Sequence, residues 1–139
     1  MIRIETYAYA EDEESQRTYW GLKSWAPETF PPGALLPKLG VIAYDDHGAA
    51  LCFMCADMSN SVPRAYLDYL HTNPNPNLKA ASKFAGVKLA EKFLCEELKR
   101  LGYSVIMAMT EKAGIAYLSQ KLGYWVNPKG LSYMVKQIT

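Results

Sequence analysis

The run from Ser82 to Leu101 limits what this chain can fold into more than any other stretch. Val87, Ala90, Leu94, Leu98 and Leu101 recur at helical spacing, and Leu89 and Phe93 widen that stripe. Lys88, Glu91, Lys92, Glu96, Lys99 and Arg100 fill the other side. The pattern predicts a long amphipathic helix lying on a larger apolar surface. Gly102 follows where a left-handed C-cap belongs. Apolar stretches flank the helix, Arg64 to Thr72 before it and Tyr103 to Thr110 after it. A strand, a long helix and a strand in succession form a crossover, which joins parallel neighbours.

The rest of the chain supplies partners for that unit. Met1 to Ala10 alternates apolar and polar residues and reads as a strand. Glu11-Asp-Glu-Glu precedes a helix over Ser15 to Trp25, where acidic residues oppose the positive helix end. Pro27, Pro31, Pro32, Gly33 and Pro37 mark an irregular connection. Leu39 to Tyr44 and Ala49 to Met58 are apolar runs joined by Asp45-Asp46-His47-Gly48, a hairpin signal. Arg64 to Thr72 is apolar on both faces, so it is expected to be central. A short helix is expected over Ala113 to Leu122, then strands from Tyr124 and from Leu131 to Ile138, joined by an Asn127-Pro-Lys-Gly130 turn. The order is β-α-βββ-α-β-α-ββ, an α/β architecture with one mixed sheet.

Half of the 139 residues are apolar, enough for a core, and the length suits a single domain over 1–139. Fifteen basic and fourteen acidic residues leave a net charge of +1. That balance argues against strong nucleic-acid or membrane-surface binding. No apolar run approaches the ~20 residues of a membrane span, and the first residues lack signal-peptide anatomy. Three cysteines suggest reduced thiols in the cytoplasm. Cys52 and Cys55 are spaced C-x-x-C, but within a strand they face opposite ways, so buried thiols are expected rather than a metal site.

The element order and two motifs resemble the GNAT superfamily of N-acetyltransferases. In that family a strand leads into a pyrophosphate loop of the form Arg/Gln-x-x-Gly-x-Gly/Ala. A long helix follows, then a strand, a short helix often carrying Tyr, and a Gly-aromatic pair. Leu67 to Thr72 resembles the strand, Ala81-Ser82-Lys83-Phe84-Ala85-Gly86 the loop, and Lys121-Leu122-Gly123-Tyr124 the closing pair. Ala81 stands where Arg or Gln is usual, and Phe84 where Gly is usual. The resemblance implies helices on both faces of the sheet and transfer of acetyl from acetyl-CoA to an amine by direct attack in a ternary complex. The acceptor is then a small-molecule or protein amine, and homodimers are common in such folds. A degenerate member acting as a binding or inhibitory module, or a nucleic-acid base modifier on the same fold, are the alternatives.

The resemblance also assigns candidate residues. The pyrophosphate falls to Lys79, Ser82, Lys83, Phe84, Ala85, Gly86 and Val87, with N–H groups at a helix start and two lysines for charge. The pantetheine arm falls to the strand end at Leu70, His71 and Thr72. Asp68 or His71 could take the amine proton, although an even strand turns them to opposite faces; a bulge would change that. Tyr117 has the chemistry of a thiolate proton donor, and Ser119 has the family's spacing. Tyr19, Trp20, Trp25 and Phe30 are expected to wall the acceptor site.

Overall fold

A computed structural model describes residues 1–110, 122–126 and 132–138. Strands Arg3–Tyr7 (β1), Leu39–Tyr44 (β2), Ala50–Met58 (β3), Arg64–Thr72 (β4), Val105–Thr110 (β5), Trp125–Val126 (β6) and Ser132–Gln137 (β7) form one sheet. Their order across it is β1-β2-β3-β4-β5-β7-β6. β4 and β5 run parallel, and the other neighbours are antiparallel. The crossover read from the sequence is therefore present, and β4 is central as expected. The short helix expected before Gly123 and the turn at 127–130 fall outside the described residues, apart from Leu122.

Helices Glu13–Lys23 (α1) and Ala80–Arg100 (α2) cover opposite faces. The alternation of β2 and β3 decides which side chains each one meets. Val41, Ala43, Met54 and Ala56 join Leu94 and Leu98 in the α2-side core. Ile42, Phe53 and Cys55 join Tyr19, Leu22 and Phe30 on the α1 side. Cys52 lies with the first group and Cys55 with the second. The C-x-x-C pair is thus divided between the faces.

The two helices start very differently. Asp12 caps α1, its Oδ1 accepting the Ser15 N–H at 2.9 Å, and Glu13 and Glu14 occupy the first turn. These acids satisfy and neutralise the helix start. α2 begins at Ala80, two residues before the expected Ser82. Its N-cap, Lys79, makes no side-chain cap hydrogen bond, and the first turn holds no acid. Asn77 donates its backbone N–H to Asn75 Oδ1 at 2.9 Å within the preceding turn. At the far end Gly102 takes φ +94°, as the C-cap requires.

Candidate active site

The site is built on an irregularity in β4. Against β3, His71 pairs with Phe53 and Asp68 with Cys55. Tyr69 and Leu70 therefore stand opposite Met54 alone, which is a β-bulge. Tyr69 takes φ +51°, a left-handed conformation that non-glycine residues adopt at a cost of about 1–3 kcal/mol. The extra residue changes which way the strand's polar groups point. Residues paired across a ladder share a face, so both Asp68 and His71 lie on the α1 side with Cys55 and Phe53. The opposite-face placement expected of an even strand is corrected by the bulge.

The same strand parts from its parallel neighbour. β4 and β5 pair at Arg64, Ala65 and Tyr66 with Val105, Ile106 and Met107. Beyond that point β4 continues to Thr72 on β3, and β5 continues to Thr110 on β7. A cavity of about 510 Å³ lies beside β4 beyond that point. Leu67, Leu70, His71 and Thr72 of β4 line it, together with Ala80, Lys83, Phe84 and Val87 from the first two turns of α2. Trp25, Ala26 and Thr29 line it from the segment after α1. The cavity is thus walled by elements from both faces of the sheet.

Electrostatics differ along its walls. Near the α2 start, Lys79 and Lys83 carry charge beside N–H groups that no side chain caps. On the α1 face, and outside the cavity lining, burial and then the neighbouring Asp57 hold the Asp68 carboxyl above the usual carboxylate range. Farther along α2, Glu91 also lines the cavity and is only 4% exposed. Its Oε1 accepts from Lys136 Nζ at 2.7 Å, Cys95 Sγ at 3.0 Å and Tyr124 Oη at 3.4 Å. Burial and then Glu91 push the Cys95 thiol up to about 12. Burial, with Glu91 adding to it, also holds the Tyr124 phenol far above its ordinary value. Tyr124 therefore stays a neutral donor to Glu91 and is a poor acid.

The expected site residues divide clearly. Leu70, His71, Thr72, Lys83, Phe84 and Val87 line the cavity. Lys79 is the exposed N-cap, and Ser82 and Ala85 sit half-buried in the helix rather than in a loop. Gly86 is buried against the sheet; an added Cβ would lie 3.0 Å from Leu51 Cβ and 3.4 Å from Ala43 Cβ. Its small size serves close helix packing. Of the four aromatics, Trp25 lines the cavity and Trp20 is 60% exposed. Tyr19 and Phe30 are core residues: Tyr19 donates its hydroxyl to the Pro31 carbonyl at 2.8 Å, and Phe30 packs between Tyr19, Phe53 and His71. Tyr117 and Ser119 fall outside the described residues. Sequence reading missed Glu91, assigned to the solvent side, because its partners Tyr124 and Lys136 are 33 and 45 residues away.

No protein-family model and no curated protein sequence matches the chain. Solved structures do resemble it. An aminoglycoside 6'-acetyltransferase type Ii aligns with TM-score 0.72 at 17% identity, over 99% of this chain and 97% of that one. A GNAT-family acetyltransferase from Staphylococcus aureus aligns with TM-score 0.68 at 10% identity, over the whole of both chains. N-acetylglutamate synthase from Neisseria gonorrhoeae, solved with coenzyme A and N-acetylglutamate, aligns with TM-score 0.71 at 9% identity, over all of this chain and 35% of that one. The bulged β4, its parting from β5 and the helix beginning at the opening thus belong to an α/β chain with the fold of the GNAT acetyltransferases.

Proposed function

We propose that this protein is an N-acetyltransferase that moves the acetyl group of acetyl-CoA to an amine by direct attack in a ternary complex. The observation that carries this reading is the cavity beside β4 where it has parted from β5, which reaches both the uncapped start of α2 and the segment after α1. Two co-substrates entering from opposite faces would meet there.

The residues fit such a co-substrate. The N–H groups of Ala80, Ala81 and Ser82 and the charges of Lys79 and Lys83 suit a diphosphate. α1, in the same chain, fills the equivalent position with three carboxylates. When bound, acetyl-CoA supplies a thioester whose carbonyl gains negative charge on attack. Backbone N–H groups of β4 beyond Tyr66, where β5 no longer pairs, are suited to receive that charge. The amine nitrogen forms a bond to the acetyl carbon, the carbon–sulfur bond breaks, and coenzyme A leaves as its thiol. The amine's surplus proton goes to Asp68 or His71, directly or through water. The raised Asp68 makes the better carboxylate base near neutrality. A cysteine-linked intermediate is disfavoured. Burial raises the Cys52 and Cys95 thiols to about 12, and Cys55 is raised further in the same direction. Three free buried thiols also fit a reducing compartment such as the cytoplasm.

Ala81 and Phe84 favour a second reading, a binding module whose phosphate seat no longer works. Calorimetric titration with acetyl-CoA separates the two. Saturable binding together with thiol release in the presence of an amine supports the enzyme. No binding at high micromolar acetyl-CoA overturns it and leaves the module.

A further inference from the structure

Two further clefts of about 210 Å³ each continue from the reaction cavity along the α1 face. Trp25 is common to the cavity and the nearer cleft. Thr18, Ile42 and Tyr44 are common to the nearer and the farther cleft. The row follows α1 backwards, from the parted strands toward β1. At its far end stand Glu5, Asp12 and Glu14. Glu5 is paired with Arg3 at 3.2 Å, and Asp12 is occupied in capping Ser15. Glu14 makes no ion pair among the described residues. The row therefore runs from an amine-accepting gap at one end to an unneutralised carboxylate at the other.

Resting on the acetyltransferase reading, we propose that the acceptor is the free N-terminus of an extended peptide carrying a basic residue at about its fifth position. From Glu14 to Lys23 α1 rises about 14 Å, and Trp25 lies two residues beyond its end. An extended chain covers that in about five residues. Among the described residues these clefts lead away from the gap along α1, which suits a chain that begins at its reacting nitrogen. An internal lysine would bring peptide on both sides. An α-amine is also partly neutral near pH 7, with an ordinary value of about 7.7–8.0, so it asks less of the base than a lysine side chain. In the transfer the α-nitrogen gains the acetyl carbon and loses a proton, and coenzyme A leaves as the thiol.

The test measures acetyl transfer from acetyl-CoA to synthetic peptides of two, three and five residues. The five-residue set carries lysine, alanine or glutamate at its fifth position, and one N-blocked peptide carries an internal lysine. We expect kcat/KM to rise at least tenfold from two residues to five. The lysine peptide should exceed the glutamate peptide, and Glu14→Lys should reverse that order. Glu13→Lys disturbs the same helical turn without lining the cleft, so the order should stand in that variant. Rates independent of length, an unchanged order in Glu14→Lys, or faster transfer to the N-blocked peptide would each overturn the proposal. Titration of the same preparation with acetyl-CoA tells the two levels apart. Binding without a length effect removes only the peptide acceptor, whereas no binding removes the enzyme as well.

Discussion

Three residues concentrate the forces that shape the site. Gly86 lets α2 approach β2 and β3 closely, and a side chain there meets Leu51 Cβ rather than a flexible tip. Alanine would gain up to about 1 kcal/mol in helix propensity, but overpacking costs about 1–3 kcal/mol. Valine adds bulk without that gain. Gly86→Val should therefore lower unfolding free energy by about 2–3 kcal/mol in a urea titration, and Gly86→Ala by less. Glu91 presents the opposite problem, a buried charge that needs its partner. Removing one member of a buried pair costs about 3–5 kcal/mol, whereas replacing both by apolar residues is often neutral. Lys136 is partly open to solvent, so the lower end applies. Glu91→Leu alone should cost about 3 kcal/mol, and Glu91→Leu with Lys136→Met less than either change alone. A double-mutant cycle in denaturant measures the difference. The third residue, Tyr69, holds a positive φ that only the surrounding bulge justifies.

At the scale of elements, the start of α2 is shaped against its own stability. Most helices begin with a side-chain cap and acids, as α1 does. α2 has a lysine at the cap and none of those acids. Lys79→Asp would supply the missing acceptor and oppose the helix dipole. It should raise unfolding free energy by about 1 kcal/mol and weaken acetyl-CoA binding at least tenfold. Thermal melts and calorimetry on one sample read both. A gain in both quantities would show that no anion uses this helix end. The missing cap also explains what the sequence left hidden. The strand edges of Leu39–Tyr44 and Arg64–Thr72 were legible because hydrophobic runs and turn residues bound them. The start of α2 was read two residues late because no capping residue marks it. The bulge in β4 had no signal either, since nothing in Asp-Tyr-Leu-His announces a positive φ at Tyr69. Helical spacing puts Leu89 in the apolar stripe, yet it is 41% exposed, and puts Glu91 outside it, yet Glu91 is buried. Periodicity located the helix but not its rotation, which Gly86 against Leu51 and the Lys136 pair settle.

For the molecule as a whole, one cavity is walled by elements from both faces of the sheet, and the proposed reaction ties kinetics and pH response to it. In the proposed reaction, a cavity walled by Trp25 and Thr29 from one side and by Phe84 and Val87 from the other would hold both reactants together. Initial-velocity lines for acetyl-CoA and amine should therefore intersect; parallel lines would indicate an acyl-enzyme. The pH dependence then separates the two roles open to Asp68. Its carboxyl is raised by burial and by Asp57, so the folded chain holds that proton more tightly than the unfolded one. Stability from this group is fully present below the ordinary carboxylate value of about 3.9 and falls as pH rises through the raised folded value. At pH 7 the charged carboxylate thus opposes folding, and Asp68→Asn should melt higher than the wild type there but not at pH 3. As the base, the same group must be ionised, so wild-type kcat/KM should fall on the acid side of the raised value. Asp68→Asn should lose kcat while retaining acetyl-CoA affinity, and that acid limb should vanish. A variant that melts higher yet keeps wild-type kcat and the same limb would remove Asp68 as the base and leave His71, which the bulge turns to the same face, as the candidate.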